Sequence, residues 1–283
     1  HNFNLPIANW NVSAVNNVGA MFWDNNSFNQ DVSDWNISAV TYMNKIFDAT
    51  LTLSNTNKGK IHQSFSSNSN WPYDWSQYAP TPNHFVDLNS TVNLEMIWVE
   101  PGTFTMGQVG VAEPVHQVTL NSGFYLGKHE VTQSQYEAVM TGNDASLSAT
   151  PSHYGGNYDR PVENVSWDDV QVFLARLNDQ EADNLPTGWA YDLPTEAQWE
   201  FSTRSRTSTS YTVGNDINST FANYDMNIGE TTNVGDYPAN PWGFYDMLGN
   251  VWELPRDWYQ GNRPNTTLYN PTGPVGATHK MRK

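Results

Sequence analysis

The chain has 283 residues, 38% of them hydrophobic and 15% charged, with 29 acidic against 13 basic side chains and a formal charge of −16. Such a field repels phosphate backbones and argues against nucleic acid as a partner, while apolar runs of only a few residues are too short to span a bilayer. No cysteine occurs, so disulfides, zinc–thiolate sites and thiol chemistry have no residue here to carry them. Twelve Trp, fourteen Tyr and twelve Phe point to a loop-rich fold with an aromatic interior, since each ring buries a large area.

The N-terminal part repeats. An offset of 25 aligns Phe3 with Phe28, Asn4 with Asn29, Trp10 with Trp35, Asn11 with Asn36, Val15 with Val40 and Phe22 with Phe47. A fixed period of this length signals a solenoid, whose units bury their apolar faces only against neighbours. The pattern F-N-x-x-[VI]-x-x-W-N-[VI]-S-A-V resembles the leucine-rich-repeat-like units of BspA-type bacterial surface proteins. About three repeats are normally needed for stability; residues 1–50 hold two, and the expectation is an array that extends ahead of residue 1. Residues 51–79 break the period and are expected to cap the array with Ile61, Phe65, Trp71 and Trp75. Residues 80–92, with two prolines and several polar side chains, are expected to form a linker.

A second domain is expected over 93–283. MIWVEPGTFTMG (96–107) has apolar residues on both sides of a Pro-Gly pair and predicts a short hairpin; HQVTL (116–120) and GFYLGKHEV (123–131) predict two further strands. Three helix starts follow. Thr132 precedes Gln135, Ser166 precedes Asp169 and Thr195 precedes Gln198, each by three residues, so each hydroxyl can cap a free backbone N–H while the third residue reaches back. Long polar stretches such as 141–160 and 207–240 separate these elements, and loops of that length need a function or a bound ion to hold them. The class is α+β.

The ordered motifs MIWVEPGTFTMG, FYLGKHEVTQSQY, PVENVSWDDVQVFL, LPTEAQWEFSTR and NPWGFYDMLGNVWEL resemble the formylglycine-generating, or sulfatase-modifying-factor, family over about 95–275. The resemblance implies a C-type-lectin-like formylglycine-generating-enzyme fold with much irregular loop. Authentic members use copper held by two cysteines near the end of the domain, and a sulfur-transfer branch uses iron held by histidines of an added helical domain. Neither ligand set is present, and the seven histidines show no metal-ligand spacing. The chain opens at His1 without an initiator Met or signal peptide and stops at HKMRK, where the family shortly continues into an R-G-G-S-W-type strand. The expectation is a fragment, incomplete at its C-terminus and poorly stable alone, with copper relevant only if cysteines lie beyond Lys283.

The same resemblance implies a structural calcium ion in FYDMLGNVWEL, held by the side chains of Asp246 and Glu253 and the carbonyls of Gly249 and Val251. Calcium takes six to eight oxygens of that mixed kind. The plainer alternative is that Asp246 and Asn250 form turn bonds and Glu253 is a surface acid. A second family calcium site would begin at Asn223 and the Tyr224 carbonyl, with Asp225 as substitute acid. Glu196 and Glu200 share a helix face, but the helix dipole and an i,i+4 pair with Arg204 account for them without catalysis. Trp167, Trp199, Trp242 and Trp252 are expected in the core. The functional expectation is an extracellular or cell-surface binding or scaffold module that takes a protein or glycan ligand; the alternative is part of a formylglycine-generating oxidase or related sulfur-transfer enzyme.

Overall fold

The computed structural model describes residues 2–8, 10–78, 83–259, 261 and 264–283. The chain divides into two compact units, His1–Pro82 and Asn83–Lys283, and each is taken by itself.

In the first unit the 25-residue period becomes a backbone ladder. The N–H groups of Val18, Ala20, Phe22 and Asp24 donate to the carbonyls of Tyr42, Asn44, Ile46 and Asp48 at 2.9, 3.0, 2.9 and 2.9 Å. A side-chain ladder runs beside it: Asn4 Oδ1 accepts from Asn29 N–H (2.8 Å), and Asn29 Oδ1 accepts from Ser54 N–H (2.9 Å). Every second residue can therefore turn inward, and Val18, Phe22, Phe28, Trp35, Val40, Ile46 and Phe47 form one buried core. The stretch 55–65, read from sequence only as part of a cap, is helix α1 (Asn55–Phe65), started by Ser54 Oγ accepting from Asn57 N–H. It drives Ile61 and Phe65 into that core, and Trp71, Tyr73 and Trp75 pack beside them. Residue 79 lies outside the described residues.

The second unit holds two three-stranded sheets. One has the order β1 (His84–Asp87), β2 (Asn93–Val99), β5 (Phe124–Gly127); the other has β3 (Gly102–Gln108), β4 (Ala112–Leu120), β6 (Leu268–Tyr269). Two expectations are corrected here. Of the linker expected over 80–92, residues 80–82 lie outside the described residues and 84–87 form β1, paired antiparallel with β2. The expected hairpin over 96–107 is a change of sheet: β2 pairs with β1 and β5, β3 with β4, and the Glu100–Pro101 link carries the chain across. Gly102 permits this because a Cβ there would sit 2.7 Å from the Phe201 ring. The strand expected over 123–131 is shorter, ending at Gly127.

Helices α2 (Gln133–Met140), α3 (Trp167–Gln180) and α4 (Glu196–Arg204) begin at Thr132, Ser166 and Thr195, and all three capping boxes form. Tyr136, Val139, Phe173 and Leu177 of α2 and α3 meet Val86 and Leu94 of the first sheet. Ala197 and Phe201 of α4 meet Val99, Met106, Val118 and Leu120, together with Phe244 and Met247 from the irregular chain that follows. The mixed α+β class is as expected. No described helix is long and apolar enough to cross a membrane.

Candidate metal and binding site

The loop 246–253 is tied to three other parts of the second unit. Asp246 and Asn250 both adopt left-handed backbone, φ 58° and 72°, a conformation that Asp and Asn tolerate better than most side chains. Asp246 Oδ2 accepts from Gly235 N–H at 2.7 Å, and Asn250 Oδ1 accepts from Thr232 N–H at 2.9 Å. Glu130, just ahead of α2, accepts from Asn250 Nδ2 at 3.0 Å and Val251 N–H at 3.3 Å. Between them Gly249 lies so close to Asn223 that a Cβ would fall 2.2 Å from its carbonyl oxygen, the same oxygen that accepts from Asn250 N–H at 2.7 Å.

Three acids thus share one neighbourhood. Burial raises Glu130 well above the usual carboxylate range, and the charges of Asp246 and Glu253 push it the same way. Asp246 is also raised by burial, against the pull of the Gly235 N–H and His129. Glu253 is partly accessible as a residue, yet its carboxyl is enclosed, and burial pushes it up to about 7. Trp199 Nε1 approaches near enough to favour its ionised form, though no hydrogen bond of good geometry forms. Desolvation dominates in each case because an ionised carboxylate loses its water shell on burial.

Asp246 and Glu253 therefore sit within electrostatic reach but face different neighbours. Glu253 is further held by its backbone, which exchanges bonds with Lys283 at 2.8 and 3.0 Å. The Gly249 carbonyl accepts from Val251 N–H at 3.1 Å. One observation in this loop favours a hard cation: Asp246 Oδ1 is buried without any hydrogen-bond partner. Among the described residues no three His, Cys, Asp or Glu side chains converge to hold a metal, so main-chain oxygens would have to complete the shell. At the expected second site, Asn223 Nδ2 donates to the Glu230 carbonyl and the Tyr224 carbonyl accepts from Asn227 N–H. Asp225 is exposed. Asn223 acts instead as the strut beneath Gly249.

A polar cleft of about 380 Å³ is lined by His129, Thr132, Ser134, Gln135, Asp159 and Asn233 among others, and by Val234 and Asp236, which flank the Gly235 N–H that Asp246 accepts; Asp246 itself does not line it. Sequence reasoning missed Glu130 and this cleft. Glu130 is the one acid of GFYLGKHEV, but nothing near it in the chain marks it, because its partner lies 120 residues away. Glu200 behaves as expected, pairing with Arg204 at 2.8 Å; Lys283 adds contacts to Glu196 at 2.7 Å and Glu200 at 3.5 Å, and these cations hold Glu200 below its usual range against the effect of burial. Trp167, Trp199 and Trp242 are partly buried, but Trp252 is 74% exposed. That corrects its expected core role: Asn250 and Glu253 are both tied inward, which leaves the intervening indole outside.

Residues 84–281 match the sulfatase-modifying factor enzyme 1-like domain. The chain belongs to that family. Residues 1–75 match a second family, described as a Mycoplasma protein of unknown function. This chain shares 29% identity with the formylglycine-generating enzyme of Bos taurus, over 74% of this chain and 70% of that one. It is 31% identical to the serine/threonine-protein kinase pkn1 of Chlamydia caviae over 58% of this chain, but spans only 28% of that relative's length. Among solved structures, Treponema denticola variable protein 1 superposes with a TM-score of 0.59 at 24% identity, covering 72% of this chain and 87% of that one. That last likeness concerns the fold.

Proposed function

We propose that the family domain of this chain is a non-catalytic binding or scaffold module of an extracellular or cell-surface protein, stabilised by calcium in the 246–253 loop. The observation that carries the reading is the knot around Asp246: three acids whose ionisation is opposed by burial, one carboxylate oxygen without a partner, and a polar cleft alongside. A divalent cation would supply the missing partner to Asp246 and relieve the repulsion among the acids. Asp246 and Glu253 would contribute side chains, with Gly249 and Val251 contributing carbonyls. The cleft's hydroxyl, amide and carboxylate groups suit a hydroxyl-rich ligand such as a glycan. No thiol is present to perform cysteine-based oxidation.

Isothermal titration with calcium chloride tests the ion. Binding to the wild-type chain and none to the Asp246→Ala/Glu253→Ala pair is expected; no binding to folded wild type overturns the calcium reading. A second reading, that the chain is part of a formylglycine-generating oxidase, is favoured by its likeness to the Bos taurus enzyme. Two closely spaced cysteines encoded after Lys283 would establish it in place of the scaffold.

A further inference from the structure

Three chain segments of the second unit, 129–135, 157–160 and 232–236, supply residues to the polar cleft. Backbone bonds tie them together through the middle segment. Gln133 and Ser134 N–H donate to the Arg160 and Tyr158 carbonyls at 2.9 and 3.1 Å, and Val234 N–H donates to the Asp159 carbonyl at 2.9 Å. The first and last segments are also joined by one side chain of the acidic loop. The Asn250 carboxamide accepts from Thr232 N–H at 2.9 Å through Oδ1, while Nδ2 donates to the Thr232 carbonyl at 3.3 Å and to Glu130 Oε2 at 3.0 Å. Thr232 precedes Asn233 and Glu130 follows His129, and both of those neighbours line the cleft. The His129 ring is held in turn, with Nδ1 2.7 Å from the Glu130 carbonyl. Asn250 itself lies in left-handed backbone, φ 72°, with its N–H bonded to the Asn223 carbonyl at 2.7 Å. Its chain neighbours are Gly249 and Val251, the two residues whose carbonyls are offered to the cation.

Resting on the calcium reading, we propose that Asn250 is a positioning residue that couples the cation loop to the cleft. A divalent cation held by residues 246–253 then fixes segments 129–135 and 232–236 in the arrangement that receives a ligand. A ligand in the cleft tightens the hold on the cation in return, because linkage between two binding sites is reciprocal. The physical cause is a shared joint. Backbone 249–251 offers carbonyls to the ion and also carries the carboxamide, so ordering that backbone orders Asn250, and through it Thr232 and Glu130. Asp246 adds a second tie on one side only, by accepting from Gly235 N–H at 2.7 Å. A carboxamide suits the joint because it donates and accepts at once. An Asp at 250 would lack the donor and set a like charge against Glu130.

Amide hydrogen exchange of the full chain reads the link, compared between a chelator and calcium at saturation as judged by titration. Calcium is expected to slow exchange at Ser134 N–H, which bonds to Tyr158 and not to the loop, by about ten-fold, an ordinary size for linked sites. The amides of α3 should hold their rates. In Asn250→Gly, where glycine keeps the left-handed backbone without strain, the effect of calcium at Ser134 should disappear. Calcium that binds the wild type without slowing Ser134 overturns the link alone, whereas a folded wild type that binds no calcium strikes the calcium reading and the link together. Equal slowing in α3 overturns the link, since it reports overall stabilisation. Undiminished slowing in Asn250→Gly overturns it too. So does a folded Asn250→Gly that binds no calcium, by making Asn250 serve the ion alone. If Asn250→Gly loses the protection of α3 and is unfolded, Glu130→Gln takes its place under the same criteria, because it leaves one acceptor oxygen for the two donors Asn250 Nδ2 and Val251 N–H.

Discussion

Replacing Gly249 by alanine tests the join between the 223 strut and the acidic loop. The new Cβ would lie 2.2 Å from the Asn223 carbonyl oxygen, 3.0 Å from its carbon and 3.5 Å from Tyr224 Cβ. The nearest two atoms are backbone, so no rotamer change relieves the clash. Separation must come from moving one segment, and that stretches the Asn250 N–H bond to the same oxygen, now 2.7 Å. Overpacking of this kind costs about 1–3 kcal/mol, and a lost internal hydrogen bond about 1 kcal/mol more, giving roughly 2–4 kcal/mol. At about 2–4 °C per kcal/mol for a unit of this size, the transition should fall by on the order of 10 °C. Calorimetry of the whole chain reads it. Gly142→Ala is the comparison: its surroundings are open and only its φ of +70° opposes a side chain, at a cost of about 1–2 kcal/mol. A Gly249→Ala protein no less stable than Gly142→Ala refutes the packing argument.

Glu253 carries a pH prediction. Its folded pKa, about 7, lies above its ordinary 4.5, so the folded state holds its proton more tightly and the carboxyl favours folding most below pH 4.5. That contribution is lost as pH rises toward 7, by about 3 kcal/mol at 1.36 kcal/mol per pH unit. In a chelator, Glu253→Gln should flatten the decline between pH 4.5 and 7 in urea titrations; an unchanged slope contradicts the burial of this carboxyl. Glu200→Ala strands Arg204, leaves Gly107 N–H without its acceptor and removes the longer of two carboxylate contacts to Lys283, so a loss of about 3–5 kcal/mol is expected. Glu200 is held below its usual range, so the wild-type advantage should be complete above pH 4.5 and vanish as pH falls further. Ser166→Ala removes the α3 cap and should cost about 1 kcal/mol, read from the urea midpoint. Trp252→Ala, at an exposed position, should change stability by less than about 0.5 kcal/mol; a loss of several kcal/mol would show that indole to be covered.

Local order was legible in the residues. The period placed Phe22 on Phe47, whose rings stack at 5.5 Å, and the Ser/Thr-x-x-Gln/Asp pairs placed three helix starts to the residue. Both signals act over one turn or one repeat, where neighbouring side chains alone settle the hydrogen bonds. The pairing of Glu200 with Arg204 was readable for the same reason, because i and i+4 meet on any helix. Helix α1 was not, since its apolar positions are few and tertiary burial of Ile61 and Phe65 holds it.

What the chain alone settled was the repeat, the capped helices, the α+β class and, through motif resemblance, the family. Which sheet each strand joins, which acids meet and which tryptophan stays outside were decided by the folded molecule. Pro101 and Gly102 look like a hairpin turn, yet β2 and β3 part there because α4 sets Phe201 against Gly102. Glu130 meets Asn250 across 120 residues, and nothing local encodes that encounter. Pairings at such separation are selected by the total burial they permit, a property of the whole packed unit that no short stretch of residues contains.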